Sequence, residues 1–207
     1  MMNNSNFIST SDKLIRDALK ESFKKTYEED PDSKIIEELG IAHGAVRIDI
    51  VVINNVIHGY ELKSDIDTLD RLPGQMKIYN KVLDRVTLVV GKNHLHEAIK
   101  VVPEWWGITI AKISAPCKKV VFYNIREAEE NPDQDNHAVA SLLWRNEALD
   151  ILEKIGEANG VRSKTRNIIY ERLTEVLDKQ TLMAEVREHL CTRLNWRSDL
   201  QCMLNGG

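Results

Sequence analysis

Residues 47–63 read RIDIVVINNVIHGYELK. Two runs rich in β-branched residues, 47–53 and 56–63, flank Asn54 and Asn55, a pattern that predicts a β-hairpin. Strands this apolar belong inside a sheet, yet Asp49 interrupts the first, and Glu61 and Lys63 flank Leu62 in the second. Burying an unpaired carboxylate or ammonium is costly, so such charges either face solvent at a sheet edge or serve a site. Glu61 and Lys63 alternate with Leu62 and therefore share one face of their strand. Asp49 on that face would add a second hard oxygen donor for a divalent cation, with an ammonium alongside. The set suits phosphodiester hydrolysis. The metal polarises the phosphate and lowers the pKa of a water, while the lysine stabilises the phosphorane charge or orients the attacking water.

Register decides whether these groups can meet. A loop of Asn54 and Asn55 alone pairs 53 with 56 and 49 with 60, sending the carboxylates to opposite faces. A loop of Ile53, Asn54 and Asn55 pairs 52 with 56 and 47 with 61, leaving Asp49 and Glu61 diagonal on one face. Asn55 then takes the left-handed position that asparagine tolerates. The site therefore predicts an odd loop or a bulge.

Outward from the hairpin the pattern is mixed. Leu14, Ile15, Ala18, Leu19 and Phe23 fall at helical spacing over 11–27, with Ser11 or Asp12 able to cap. Residues 34–39 read as a short strand. Pro73 suits the first turn of a helix carrying Met76, Tyr79, Val82 and Leu83. Strand-like runs follow at 85–90, 107–113 and 120–123, with a short helix around 94–101 between the first two. Residues 127–135, EAEENPDQD, have no apolar period and read as an exposed linker. Beyond it the chain reads as all helix. A broad stripe from Val139 to Ile155 stops at Gly156, a second helix is capped by Ser163, and a third starts at Thr181. The predicted organisation is an α/β core over 1–125, an acidic linker over 126–136 and a helical region over 137–207.

The chain has 207 residues, 43% hydrophobic and 29% charged, which supports a packed core and excludes a disordered solvating chain. Its 28 basic and 32 acidic side chains give a net charge of -4, which excludes a generally basic nucleic-acid coat but leaves room for a local patch. Residues 71–100 are such a stretch, with 6 basic and 2 acidic side chains. Cys117, Cys191 and Cys202 are odd in number and widely spaced, which suggests neither a disulfide framework nor a zinc finger and fits a reducing compartment. With no secretory-signal pattern and no apolar run of the roughly 18 to 20 residues a membrane span needs, a cytoplasmic protein away from membranes is expected.

The order helix, strand with Asp49, strand with Glu61-Leu62-Lys63, helix, strand resembles the PD-(D/E)XK nuclease superfamily. More closely, Glu38-Leu39-Gly40, HGYELKSD at 58–65, TLDRLP at 68–73 and DRVTLVVG at 84–91 are similar to a family of uncharacterised bacterial nuclease-like proteins. The likeness continues through LLWR at 142–145 and VRSK at 161–164, although Ile48 stands where the name-giving proline would sit. The resemblance implies a restriction-endonuclease-like core, a mixed β-sheet flanked by helices, with an all-helical C-terminal region. It also implies Mg2+ (or Mn2+) held by Asp49, Glu61 and the backbone carbonyl of Leu62, with Lys63 as catalytic lysine. Glu38 or Glu37 would be a further acid. Gln75 and Tyr79, one helical turn apart, match the Q-x-x-x-Y motif of the RecB-like branch and would face the site and a substrate phosphate.

Other candidates have simpler readings. Ser64, Asp65, Asp67 and Asp70 suit turns and caps better than a second metal cluster. His94 and His96 lack a third ligand, His58 lies on the strand face opposite Glu61 and is expected to pack, and Trp105 and Trp106 read as core. The sequence RSKTR at 162–166 follows a turn and opens a helix, so Arg162, Lys164 and Arg166 are candidate phosphate contacts in a helix-turn-helix-like arrangement, and Arg71 in the basic stretch is a separate candidate. Residues 137–207 nevertheless balance 10 basic against 10 acidic side chains, and a helical cap or a homodimer surface is the competing reading. The expected function is a metal-dependent nuclease acting on DNA. The alternative is a non-catalytic nuclease-fold adaptor or DNA-binding module working through its C-terminal helices.

Overall fold

The computed structural model describes residues 8–27, 30, 33–115 and 117–193. Helix α1 (Asp12–Tyr27) leads into β1 (Lys34–Ile41), β2 (Val46–Ile53), β3 (Ile57–Lys63), helix α2 (Leu72–Val82) and β4 (Arg85–Gly91). Helix α3 (Leu95–Val101), β5 (Gly107–Ile113) and β6 (Val120–Arg126) follow. The chain then turns helical, with α4 (Asn136–Ala140), α5 (Arg145–Lys154), α6 (Arg166–Val176) and α7 (Lys179–Thr192). The strands lie in chain order in one six-stranded sheet. β1, β2 and β3 form an antiparallel meander, β3, β4 and β5 run parallel, and β6 is antiparallel to β5. Parallel neighbours cannot be joined by a tight turn, and α2 and α3 supply the two crossovers. The architecture is thus mixed α/β, a mixed sheet flanked by helices with a helical C-terminal region. Among the described residues no helix is long and apolar enough to cross a membrane.

The sheet buries both faces. Ile15, Leu19 and Phe23 of α1 pack on Ile50, Val52, Leu62 and Val89. Val51, Ile53, Ile57 and Leu88 point the other way, into a larger core with Tyr79 and Val82 of α2 and with Leu152, Leu173 and Val186 of the C-terminal helices. The helical region is therefore continuous with the sheet's core. Cys202 lies outside the described residues.

Several sequence expectations need correction. The hairpin loop holds three residues, as the site required, but they are Asn54, Asn55 and Val56, because Ile53 pairs with Ile57. Parity survives this shift, since both partners move by one. Asn55 does not adopt a left-handed backbone. Its neighbour Asn54 closes the loop instead, its N–H donating to the Val56 carbonyl and its side-chain oxygen accepting from the Val56 N–H.

The acidic stretch is largely exposed, as read, but it is tied down at one point. Asn131 is buried and its amide donates to the carbonyls of Asn80 and Leu83, two acceptors left over at the end of α2. The stripe from Val139 to Ile155 splits into α4 and α5, because Trp144 is extended and its N–H donates to the Glu147 carboxylate at 2.6 Å. Thr165 rather than Ser163 precedes α6, and Asp178 caps α7 by accepting from the Thr181 N–H.

His58 packs, as its strand face predicted, with Nε2 2.9 Å from Thr87 Oγ1 and Nδ1 3.2 Å from the Tyr60 hydroxyl. Burial, assisted by the Arg85 charge, lowers its pKa from the ordinary 6.5 to about 4. Between those values the unfolded chain binds a proton that the folded chain refuses, so stability rises with pH across this window. The penalty is complete below about pH 4 and amounts to roughly 3 kcal/mol, from about 1.4 kcal/mol per pH unit. Urea titrations at pH 7 and pH 4 should therefore show wild type losing about 3 kcal/mol more than His58→Gln. Equal losses would show that the folded protein accommodates the imidazolium.

Candidate active site

The site forms where β2 and β3 part. Side-chain alternation along β2 slips at Asp49, since Ile48 joins the core of Val51 and Ile53 rather than that of Ile50 and Val52. Directly opposite on β1, Glu38 lies between the paired residues Glu37 and Leu39 and has a left-handed backbone, φ 54°. The paired break leaves the β1–β2 register unchanged and re-aims two acids. Asp49 Oδ2 accepts from the Leu62 N–H at 2.8 Å, in a stretch where the β2–β3 ladder has ended at Ile50 and Tyr60. Asp49 Oδ1 receives Arg16 Nη2 at 2.7 Å, and Arg16 Nη1 reaches Glu38 at 3.0 Å and the Asp49 carbonyl at 3.0 Å. Arg16 comes from α1 and also pairs with Asp12, one turn earlier, at 3.1 Å.

Glu61 and Lys63 form the inner half. Their side chains retain 2% and 7% exposure, and Lys63 Nζ stands 2.5 Å from Glu61 Oε1. Helix α2 completes the shell. Gln75 Nε2 donates to the same oxygen at 2.7 Å, while the Tyr79 hydroxyl lies 2.8 Å from Glu61 Oε2 and 2.7 Å from the Arg47 carbonyl. With one proton, that hydroxyl donates to one of its two acceptors at a time. Gln75 Oε1 is buried with no hydrogen-bond partner. Burial and then the Asp49 charge push the Glu61 carboxyl above the usual range, against the pull of Lys63. The Asp49 contribution shows that the two carboxylates lie in each other's field.

The structure thus gathers Asp49, Glu61, Lys63, Gln75 and Glu38 around one place. Glu37 turns away to Lys20 at 2.5 Å, which selects Glu38 from the two candidate acids. Tyr79 is fully buried and cannot touch a substrate phosphate as expected; it positions Glu61. Arg71 is exposed at the start of α2. Arg162 pairs with Glu153 on the surface, and Lys164 is exposed beside it. Asp67 accepts from the Ser64 N–H and hydroxyl, and Asp65 from Thr10, so these acids shape turns. Among the described residues no group of three or more His, Cys, Asp or Glu side chains is placed to hold a metal. Asp49, Glu61, the unpartnered Gln75 oxygen and the Leu62 carbonyl are hard oxygen donors of the class that Mg2+ or Mn2+ takes, with further ligands needed from water or substrate. Arg16 was missed because its partners lie on other elements; its one local signal is its place beside the buried Ile15 and Leu19.

Comparison with known proteins places the chain in a lineage. The family model described as Bacteriophage P4 protein cII matches residues 9–204. Protein cII of Enterobacteria phage P4 is 25% identical over 166 residues, covering 80% of this chain and 60% of that protein, so the chain spans well under the relative's full length. The SPO1766 protein of unknown function from Silicibacter pomeroyi overlays with a TM-score of 0.42 at 17% identity, over 73% of this chain and 94% of its own.

The buried pair carries a stability signature. Removing one partner of a buried ion pair typically costs about 3–5 kcal/mol, because the other charge is stranded. Lys63→Met should cost this much at pH 8 in urea denaturation. Stranded Glu61, its pKa raised by burial, binds its proton more tightly folded than unfolded. The variant's stability is thus full below the ordinary value and falls as pH rises through the raised one. Adding Glu61→Gln should recover most of the loss. A pH-independent loss that Glu61→Gln leaves unchanged would refute the pairing.

Proposed function

The chain belongs to the bacteriophage P4 protein cII family, and we propose that it is a metal-dependent phosphodiesterase of PD-(D/E)XK type acting on nucleic acid, with DNA as the substrate. The reading rests on one observation: the buried Glu61–Lys63 pair beside Asp49 at the parting of two strands, braced from α2 by Gln75 and Tyr79. A bound Mg2+ or Mn2+, held by Asp49, Glu61 and the Leu62 carbonyl, would supply Lewis acidity at the phosphate. The remaining work belongs to the chain. Lys63 holds a positive charge where the phosphorane develops negative charge, on a rigid strand that needs no reorganisation. Gln75 and Tyr79 fix the Glu61 carboxylate from the α2 side. Asp49 is oriented by the Leu62 N–H. A cytoplasmic location fits the chemistry and the free thiol of Cys117.

A second reading has its own observation. Arg16 engages both Glu38 and Asp49, so one of the chain's own cations already occupies the outer half of the site and offsets part of its negative charge. A protein that kept this arrangement permanently would be a nuclease-fold adaptor or DNA-binding module, self-associating or docking through its C-terminal helices.

Purified protein should cleave DNA in Mn2+. Glu61→Ala and Lys63→Ala, assayed at a temperature where circular dichroism shows them folded, should lose roughly a hundredfold or more of this activity. Equal cleavage by all three proteins would refute the assignment and indicate contamination. Calorimetric titration with Mn2+ separates the two readings: heat that disappears in Asp49→Asn supports the enzyme, and no heat in wild type supports the adaptor.

A further inference from the structure

Arg16 holds three carboxylates with one guanidinium. Nε and Nη2 grip Asp12, one helical turn back on α1, at 3.1 and 3.3 Å. Nη2 also donates to Asp49 Oδ1 at 2.7 Å, while Nη1 donates to the Asp49 carbonyl at 3.0 Å and pairs with Glu38 at 3.0 Å. The neighbouring Glu61–Lys63 pair adds no net charge. Three carboxylates less one guanidinium leave two negative charges, the complement of one divalent cation.

The partners of this guanidinium differ in kind. Asp49 is the acid that the metal-dependent reading assigns as a ligand, and both of its oxygens are engaged, Oδ1 by Arg16 and Oδ2 by the Leu62 N–H at 2.8 Å. The backbone donor is fixed in the strand, whereas Arg16 is a side chain that can leave. The Arg16 and Asp49 side chains keep only 17% and 18% exposure, so water screens little there, and a dication at Asp49 Oδ1 would be strongly repelled by the guanidinium on that oxygen. Asp12 offers the alternative. It is 45% exposed and stands on the same helix, so it can keep Arg16 when the guanidinium lets go of the strands. Helix α1 need not move, because Ile15 and Leu19 hold it on the sheet. Glu38, released at the same time, is 42% exposed and stays hydrated.

We propose that Arg16 is an exchangeable counter-ion of the carboxylate site, giving way to a divalent cation by leaving Asp49 and Glu38 for Asp12. The exchange rests on the metal-dependent reading of Asp49 and Glu61. It gives the guanidinium two resting places, one that offsets the repulsion between the site's acids and one at the surface. It also sets the enzyme apart from the adaptor, in which the guanidinium never leaves Asp49.

Calorimetric Mn2+ titrations, with thermal melts in EDTA and in Mn2+, test the exchange without turnover. Arg16→Met keeps the apolar stem and removes the charge. In EDTA it should melt below wild type, because Glu38 and Asp49 lose their partner. It should nevertheless bind Mn2+ about tenfold tighter or more, since the competing charge is gone. Added Mn2+ should accordingly raise its Tm by more than it raises that of wild type. Adding Glu61→Gln should abolish the tightened binding, and tightened binding that survives this change would overturn the proposal. Asp12→Asn, at an exposed position, should weaken Mn2+ binding about threefold in wild type and leave Arg16→Met unaffected, a coupling that its own charge alone cannot produce. Equal weakening in both backgrounds would overturn the role of Asp12. Should Arg16→Met not fold, Arg16→Lys, which lacks the two-pronged head, replaces it with the same expected sign. Wild type that binds Mn2+ while the Arg16 variant binds equally or more weakly would overturn the exchange and leave the metal-dependent reading standing. Binding by the variant alone would show that the guanidinium is never displaced, which also overturns it. No Mn2+ binding by either protein would sink the metal-dependent reading and the exchange together.

Discussion

A glutamate and a lysine buried together at the end of a central strand constrain everything around them. Glu61 and Lys63 have almost no contact with water, so their remaining hydrogen-bonding capacity has to be met from the protein. For Glu61 that requirement brings α2 down on the strand ends, because Gln75 and Tyr79 are the groups that meet it. Tyr79 in turn lies against the Arg47 carbonyl at the start of β2, which ties the crossover helix to the hairpin. A well-packed apolar pair in the same place would often be as stable or more stable. Stability alone does not account for the pair, and this is the ground on which the proposed catalytic role rests.

The second constraint is the break in alternation at Asp49 and Glu38. A regular β2 would aim the Asp49 side chain with Val51 and Ile53 into the large core, where a carboxylate has no compensation. Slipping one residue turns Ile48 into that core and releases Asp49 toward the strand ends, where the Leu62 N–H and Arg16 meet it. The left-handed backbone of Glu38 is the matching adjustment on β1. Local strain here accompanies the placement of two charges, as strained backbone at functional positions often does.

What the sequence made legible follows from periodicity and parity. The strands, the crossover helix and the shared neighbourhood of Asp49, Glu61, Lys63 and Gln75 could be read because alternation and helical spacing are local properties. The loop residues could not be fixed, since moving the turn by one residue at both ends keeps the same parity and the same facing carboxylates. Arg16 stayed hidden because its partners lie on β1 and β2, and no local pattern joins α1 to them. The acidic stretch misled for a related reason. Its composition describes a solvated linker, but Asn131 has a specific task, to satisfy carbonyls at the end of α2, that depends on tertiary placement. Trp144 and Glu147 likewise split one apolar stripe into two helices through a single hydrogen bond.

Net charge is the least informative of the sequence measures because it is blind to pairing. The excess of four negative charges suggests a surface that repels phosphate. Around the site, however, Glu37, Glu38, Asp49 and Glu61 share the three cations Lys20, Arg16 and Lys63, so most of their outward field is offset. Among the described residues Arg47, Arg145 and Arg166 form no ion pair. A concave, low-dielectric wall concentrates the field of such groups. Pairing rather than the total therefore sets the local potential around the buried carboxylates.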